Sequence, residues 1–124
     1  MQIRVYYEDT DAGGVVYHTN YIKYCERARS ELFFSNDRPV SINDCHFVIK
    51  HLEADFVKPA RLGDLLDVKT KLVSHKKTSM VIHHEIYKGE TLLFKAELLA
   101  VYVDVTIGQP KRIDEETLAF LRNQ

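Results

Sequence analysis

A single long helical segment stands in front of four consecutive segments of strand periodicity, and few architectures accommodate that order. From Asn20 to about Ser35, Tyr21, Tyr24, Cys25, Ala28 and Leu32 recur at three- and four-residue steps, with no proline or glycine between them. Lys23, Arg27 and Glu31 fall on another side, where Arg27 and Glu31 are spaced to pair. Asn36-Asp37-Arg38-Pro39 stops the helix. Val40–Asp44 is long enough for one helical turn at most. The period then changes to two. His46–Val57 carries Leu52, Ala54 and Phe56 on one face; Leu65–Val73, Met80–Tyr87 and Leu92–Asp104 alternate in the same way. Pro59–Asp64, Ser74–Ser79 and Lys88-Gly89-Glu90 are the breaks between them, the last a hairpin turn. Ahead of the helix, Ile3–Tyr7 predicts a first strand. Behind the sheet, Gly108-Gln109-Pro110 breaks the last long strand, and Asp114 caps a short closing helix carrying Leu118, Phe120 and Leu121.

Consecutive strands joined by tight turns pair antiparallel. A sheet with one apolar face must cover it, and the long helix is the only large element available. The expectation is an α+β protein, an antiparallel sheet of five strands wrapped around one helix, with residues 1–124 forming a single domain. The net charge of −1 argues against the basic footprint of a nucleic-acid binder. No apolar run is long enough to span a bilayer. Met1-Gln2-Ile3-Arg4 has no signal-peptide character, so a cytoplasmic location is expected. Cys25 and Cys45 make neither a disulfide framework nor a zinc pattern and are expected to be reduced structural thiols.

The chemistry is concentrated in Tyr6–Tyr21, which holds three acids, two adjacent glycines, one histidine and four tyrosines directly before the helix. Gly13-Gly14 allows a turn and close approach of a ligand to the backbone. Thr19 or Asn20 could cap the helix. A helix start offers unpaired N–H groups and a partial positive charge. A carboxylate held opposite such donors suits acyl transfer, one group activating water and the others holding the oxyanion. Asp11 is the candidate carboxylate and His18 the second candidate, against the bland readings of a solvated loop acid and a structural histidine. Asp9-Thr10-Asp11 opens like a calcium loop, but Gly13 and Asn20 stand where further oxygen ligands are required. Cys25 lies seven helical residues from His18, a rise of about 10 Å, too far for a nucleophile–base pair. No serine sits in a Gly-x-Ser-x-Gly elbow. His83 and His84 point to opposite faces of a strand, and no histidine pair has metal spacing, so no metal site is expected.

The run Y-x-D-T-D-x-x-G-V-V-Y-H-x-x-Y, from Tyr7 to Tyr21, resembles the signature of hotdog-fold acyl-CoA thioesterases. Within them it is similar to the YbgC-type, Tol–Pal-associated group related to 4-hydroxybenzoyl-CoA thioesterase. The likeness is near-continuous from Val5 to Ser30, and length and element order extend it along the chain. The resemblance implies the hotdog fold and an acyl-CoA thioesterase of lipid metabolism. It implies Asp11 as general base or nucleophile, Asp9 as a brace, His18 as an assisting group whose backbone N–H polarises the thioester carbonyl, and Tyr7 lining the site. It also implies Gly14 and Val15 against the substrate, and Lys76 and Lys77 on the coenzyme A phosphates, with Lys58 and Arg61 as weaker candidates. It implies no cofactor beyond the coenzyme A of the substrate. It implies a homotetramer built from two dimers with the site at a dimer interface, and acyl carrier protein as an alternative carrier. The rival readings are a hotdog dehydratase and a non-catalytic acyl-binding or scaffold protein of a lipid-synthesis or envelope complex.

Overall fold

Met80, Ile82, His84 and Ile86 are the buried positions of a strand whose intervening residues are half-exposed, and this alternation marks the centre of the sheet. The computed structural model describes residues 1–124. Its strands are β1 (Gln2–Arg4), β2 (Cys45–Phe56), β3 (Leu65–His75), β4 (Ser79–Lys88), β5 (Thr91–Asp104) and the two-residue β6 (Gln109–Pro110). Its helices are α1 (His18–Phe34) and α2 (Glu115–Arg122). The sheet order is β1-β3-β4-β5-β2, antiparallel throughout, with β6 folded back onto the end of β5. The five-stranded antiparallel sheet expected around a long helix is therefore present.

Helix α1 buries Tyr21, Tyr24, Cys25 and Ala28 against the sheet, the face its periodicity predicts. Around it lie Val5, Ala60, Leu66, Val68, Ile86 and Phe94, each no more than 2% exposed. At its far end Phe33 rather than Leu32 is the buried residue. It joins a second apolar cluster with Ile82, Leu98, Leu118 and Leu121, and its ring lies 5.6 Å from that of Phe120 on α2. Asp114 caps α2 as expected, accepting the backbone N–H of Thr117 at 2.9 Å.

Several local expectations change. The first strand is shorter than Ile3–Tyr7, because Tyr7–Asp9 tightens into a 3-10 turn closed by the Asp9 N–H donating to the Tyr6 carbonyl. The long helix starts two residues early, at His18, and neither Thr19 nor Asn20 caps it. Tyr17 occupies the cap position without a side-chain bond, its ring carrying no short acceptor for the first-turn N–H groups, and the Asn20 amide, inside the first turn, donates to the Asp9 carbonyl at 2.8 Å. Arg27 and Glu31 form no ion pair. Val40–Asp44 makes no helical turn; Asn43 and Asp44, with φ of 52° and 62°, reverse the chain into β2. Strand β2 pairs with β5 alone and leaves its other edge open, with Val48 and Ile49 45% and 41% exposed.

Candidate functional site

The site is built on a narrow loop tied to the start of α1. Asp9 braces it from two sides. Its carboxylate accepts the Tyr6 N–H at 2.9 Å, and its carbonyl accepts the Tyr17 N–H at 2.9 Å and the Asn20 amide. Thr10 then bridges Val16, and the Asp11 N–H donates to the Val15 carbonyl at 2.9 Å. The reversal between them needs glycine at position 14 and leaves little room for a side chain at position 13. Gly14 has φ of +76°, and a side chain on Gly13 would press to 3.2 Å from an Asp11 carboxylate oxygen. That oxygen accepts the Gly13 N–H at 2.8 Å, so the turn orients the carboxylate. The loop is docked on the β2–β3 connection. Val15 bridges Arg61, the Leu62 N–H donates to the Gly14 carbonyl, and the Val16 N–H donates to the Ala60 carbonyl at 2.9 Å. The Tyr21 hydroxyl accepts the Ala60 N–H at 2.9 Å, pinning the same connection to the helix.

The consequence lies at the first turn of α1. The N–H groups of His18 and Thr19 have no acceptor in the protein, whereas Tyr17 and Asn20 on either side are bonded. Two free donors at the positive end of a helix are suited to a developing oxyanion. The His18 ring stands 6.4 Å from Phe56, edge to face, on the wall of a hollow of about 260 Å³ that also includes Val16, Tyr21 and Lys58.

Asp11, Gly14, Val15 and His18 thus belong to one loop–helix junction. Tyr7 lies just before it, 82% exposed, its carbonyl accepting the Thr10 N–H and hydroxyl. Asp11 and His18 are exposed as well, and neither Asp11 nor Tyr7 lines the hollow beside His18. Lys76 and Lys77 are not part of the junction. They sit beyond the far end of β3, an eleven-residue strand of about 35 Å, around a separate hollow with Arg112. Lys58 and Arg61 are the cations that the fold places beside the loop. Cys25 is buried, and burial pushes its thiol up to about 12, which leaves it inert as a nucleophile.

A second polar group, unforeseen in the sequence, lies under the middle of α1. His84 is fully buried; its Nε2 is 2.9 Å from an Arg29 guanidinium nitrogen and its Nδ1 is 3.1 Å from the Thr70 hydroxyl. Arginine only donates, so Nε2 must accept and the proton resides on Nδ1. Burial, reinforced by the neighbouring guanidinium, pushes the His84 pKa down to about 3, and the ring is neutral. The signal was present: the parity that puts Met80, Ile82 and Ile86 inside also puts His84 there.

Residues 5–121 match the model of the thioesterase-like superfamily. The chain is 39% identical over 121 residues to the acyl-CoA thioester hydrolase YbgC of Escherichia coli, covering 94% of this chain and 90% of that protein. It is 51% identical over 87 residues to the acyl-CoA thioesterase YbgC of Helicobacter pylori, a match spanning 70% of this chain and 65% of that protein's length. Among solved structures, a probable thioesterase of Bartonella henselae superposes with a TM-score of 0.83 at 32% identity, covering 93% of this chain and 96% of that one. A 1,4-dihydroxy-2-naphthoyl-CoA thioesterase of Synechocystis gives 0.88 at 24% identity, covering 98% and 93%, which speaks to the fold. No helix is long and apolar enough to cross a membrane.

Proposed function

The chain belongs to the thioesterase-like superfamily, and on that footing we propose that it hydrolyses acyl-CoA to a free acid and coenzyme A at the junction of the Asp11 loop and α1. The observation that carries this reading is the pair of unbonded N–H groups on His18 and Thr19, at the same loop–helix junction as a carboxylate oriented by its own turn. The thioester carbonyl oxygen accepts from the His18 N–H. Asp11 takes a proton from water as its oxygen attacks the carbonyl carbon. The helix start holds the tetrahedral oxyanion, the C–S bond breaks, and the proton returns to the departing thiolate. The nucleophilic route uses the same carboxylate, passes through a mixed anhydride and consumes the same water. Label found in Asp11 after repeated turnover in 18O-water identifies the anhydride route, with water attacking the Asp11 carbonyl of the anhydride. His18 and Tyr7 flank the thioester, and Gly14 and Val15 offer backbone to the substrate. Lys58 and Arg61 are placed to meet coenzyme A phosphates from the same chain. Lys76 and Lys77 can do so only for a site completed by another copy.

That completion also answers the exposure of Asp11, His18 and Tyr7, because chemistry of this kind gains when water is excluded. The open edge of β2 is a template for a second copy. A dimer pairing there, and two dimers forming a tetramer, are the assembly we expect. Acyl-carrier-protein thioesters are the alternative substrates and a cytoplasmic location the expected one. The test is thiol release from short, long and aromatic acyl-CoAs, with wild type and Asp11→Asn side by side. Asn keeps an oxygen for the Gly13 N–H but cannot take a proton. The expected loss is about a thousandfold with Tm unchanged. Binding of acyl-CoA by wild type without thiol release would replace this reading with the acyl-binding one.

A further inference from the structure

Arg29 has one hydrogen-bond partner, the neutral His84 ring, and takes part in no ion pair within 4.0 Å. A guanidinium carries five N–H donors and a permanent charge. Arg29 is half-buried, and the nearest acid on its own helix, Glu26, acts on it only from beyond ion-pair distance, so a charge held partly out of water has no contact partner of opposite sign. Arg29 is part of the wall of a half-open cavity of about 190 Å³ between α1, β2 and the inner face of β4 and β5. Phe33, Phe47, Ile49, Met80 and Ala100 form its apolar walls, with Ser30 and Glu26 on the helix side. A cavity of about 150 Å³ suffices for a benzene ring. This one therefore suits a hydrocarbon body of about six to eight heavy atoms with one anionic end.

We infer that this cavity binds a small carboxylate with an apolar body, its carboxylate on Arg29 and its body against Phe47, Met80 and Ala100. The planar fork of Arg29 matches a carboxylate with two parallel N–H donations. Glu26 in the same wall disfavours a phosphate, which carries more charge. The site is distinct from the thioester junction of its own chain. Arg29 lies eleven helical residues beyond His18, about 16 Å along α1. A short acyl group held at Asp11 does not span that distance. The carboxylate can come from a free acid, which is also the chemical class of a thioesterase product. It can also be the far end of a dicarboxylic acyl group whose thioester sits on another copy.

The chain has two methionines, so the Met80 methyl gives a resolved NMR signal in a [13C-methyl]-methionine sample. Hexanoate and benzoate, titrated into the intact protein, are expected to shift that signal saturably, and hexanamide is not. Arg29→Met should weaken hexanoate by about ten- to a hundredfold, the loss of a charge-assisted pair. Arg29→Lys should restore part of the affinity. Ser30→Leu, at a half-exposed helix position, fills the cavity while leaving Arg29 intact, and should also abolish the shift. The inference is overturned if hexanoate leaves Met80 unmoved, if hexanamide binds as well, or if Arg29→Met and Ser30→Leu both bind like wild type. This readout is independent of turnover, so it stands or fails separately from the thioesterase reading. Comparing adipoyl-CoA with hexanoyl-CoA assigns the source. A preference for adipoyl-CoA lost in Arg29→Met identifies the acyl arm, and an unchanged ratio with hexanoate bound identifies the free acid.

Discussion

His18 and His84 lie in two regions that treat a polar side chain in opposite ways. At the start of α1, His18 is exposed, its N–H is unbonded, and the loop beside it turns Asp11 outward. At the centre of β4, His84 is fully buried with both ring nitrogens occupied, and it is held neutral. The first region leaves hydrogen-bonding capacity unspent, which is what a reacting ligand requires. The second spends nearly all of it inside the fold, apart from the donors of Arg29. The difference teaches that a histidine's place on a helix end or a strand centre decides whether it can serve chemistry or packing.

The sharpest way to break this comparison is to remove the N–H of His18 rather than its ring. His18 is the first residue of α1, a position where proline is well tolerated, and Tyr17 before it already has φ −63° and ψ 135°, the extended form that a following proline favours. His18→Pro should fold. Compared with His18→Ala, which loses the ring and keeps the N–H, it should lose a further hundred- to thousandfold in kcat, about 2.7–4 kcal/mol. Equal activity in the two variants would remove the helix start from the mechanism. In the other region, His84→Ala should cost about 3 kcal/mol in urea unfolding, through a cavity and the loss of the acceptor facing Arg29. The kcat of the folded fraction should change little. A large loss of kcat without loss of stability would mean that the buried cluster serves the reaction directly.

Acid sharpens the same contrast. The unfolded chain protonates His84 at its ordinary value of 6.5, whereas the folded chain resists until about 3. The unfolded state therefore binds more protons in that window, and stability falls as pH drops below 6.5, by about 1.4 kcal/mol per pH unit. Asp64, Glu85, Asp104 and Asp114, all held below their ordinary 3.8 to 4.5, add their own losses only at lower pH. Urea midpoints between pH 7 and 5 should show the slope in wild type. Replacing His84 by Gln should flatten it.

Much of this is legible in the sequence. The alternation of β3, β4 and β5, the apolar face of α1 and the Asp114 cap follow from local rules, and each element lies within two residues of its expected bounds. The site loop was legible as a run of special residues, because Gly14 and Asp11 act on near neighbours. What was not legible depends on long-range contacts. The expected cap of α1 is absent because the helix starts at His18, which puts Thr19 and Asn20 inside its first turn, where Asn20 donates to Asp9, eleven residues back. Within one chain β3 carries Lys76 and Lys77 away from the loop, whereas the β2–β3 connection lays Arg61 against it and Lys58 beside His18. The Arg29–His84 pair joins a helix to a strand 55 residues away, and no local pattern reports that.

Tyr24 links the two regions and gives the smallest expected effect. It lies on the buried face of α1, and its hydroxyl is buried without a hydrogen-bond partner. Burial, and then the Asp9 carboxylate, which lies near the hydroxyl but outside good hydrogen-bond geometry, hold its phenol above the ordinary value of 10.0, so the hydroxyl is neutral. An unpaired buried hydroxyl carries a desolvation cost that its ring does not share. Tyr24→Phe keeps the ring, removes that group and leaves Asp9 its bonds to Tyr6, Tyr17 and Asn20. The variant should therefore be as stable as wild type or more so, by up to about 1 kcal/mol, with thiol release unchanged. A loss of about 1 kcal/mol would instead show that in solution the hydroxyl donates to Asp9. The brace of the Asp11 loop would then be anchored in the helix core, and the separation between the exposed region and the buried one would be narrower than their geometry suggests.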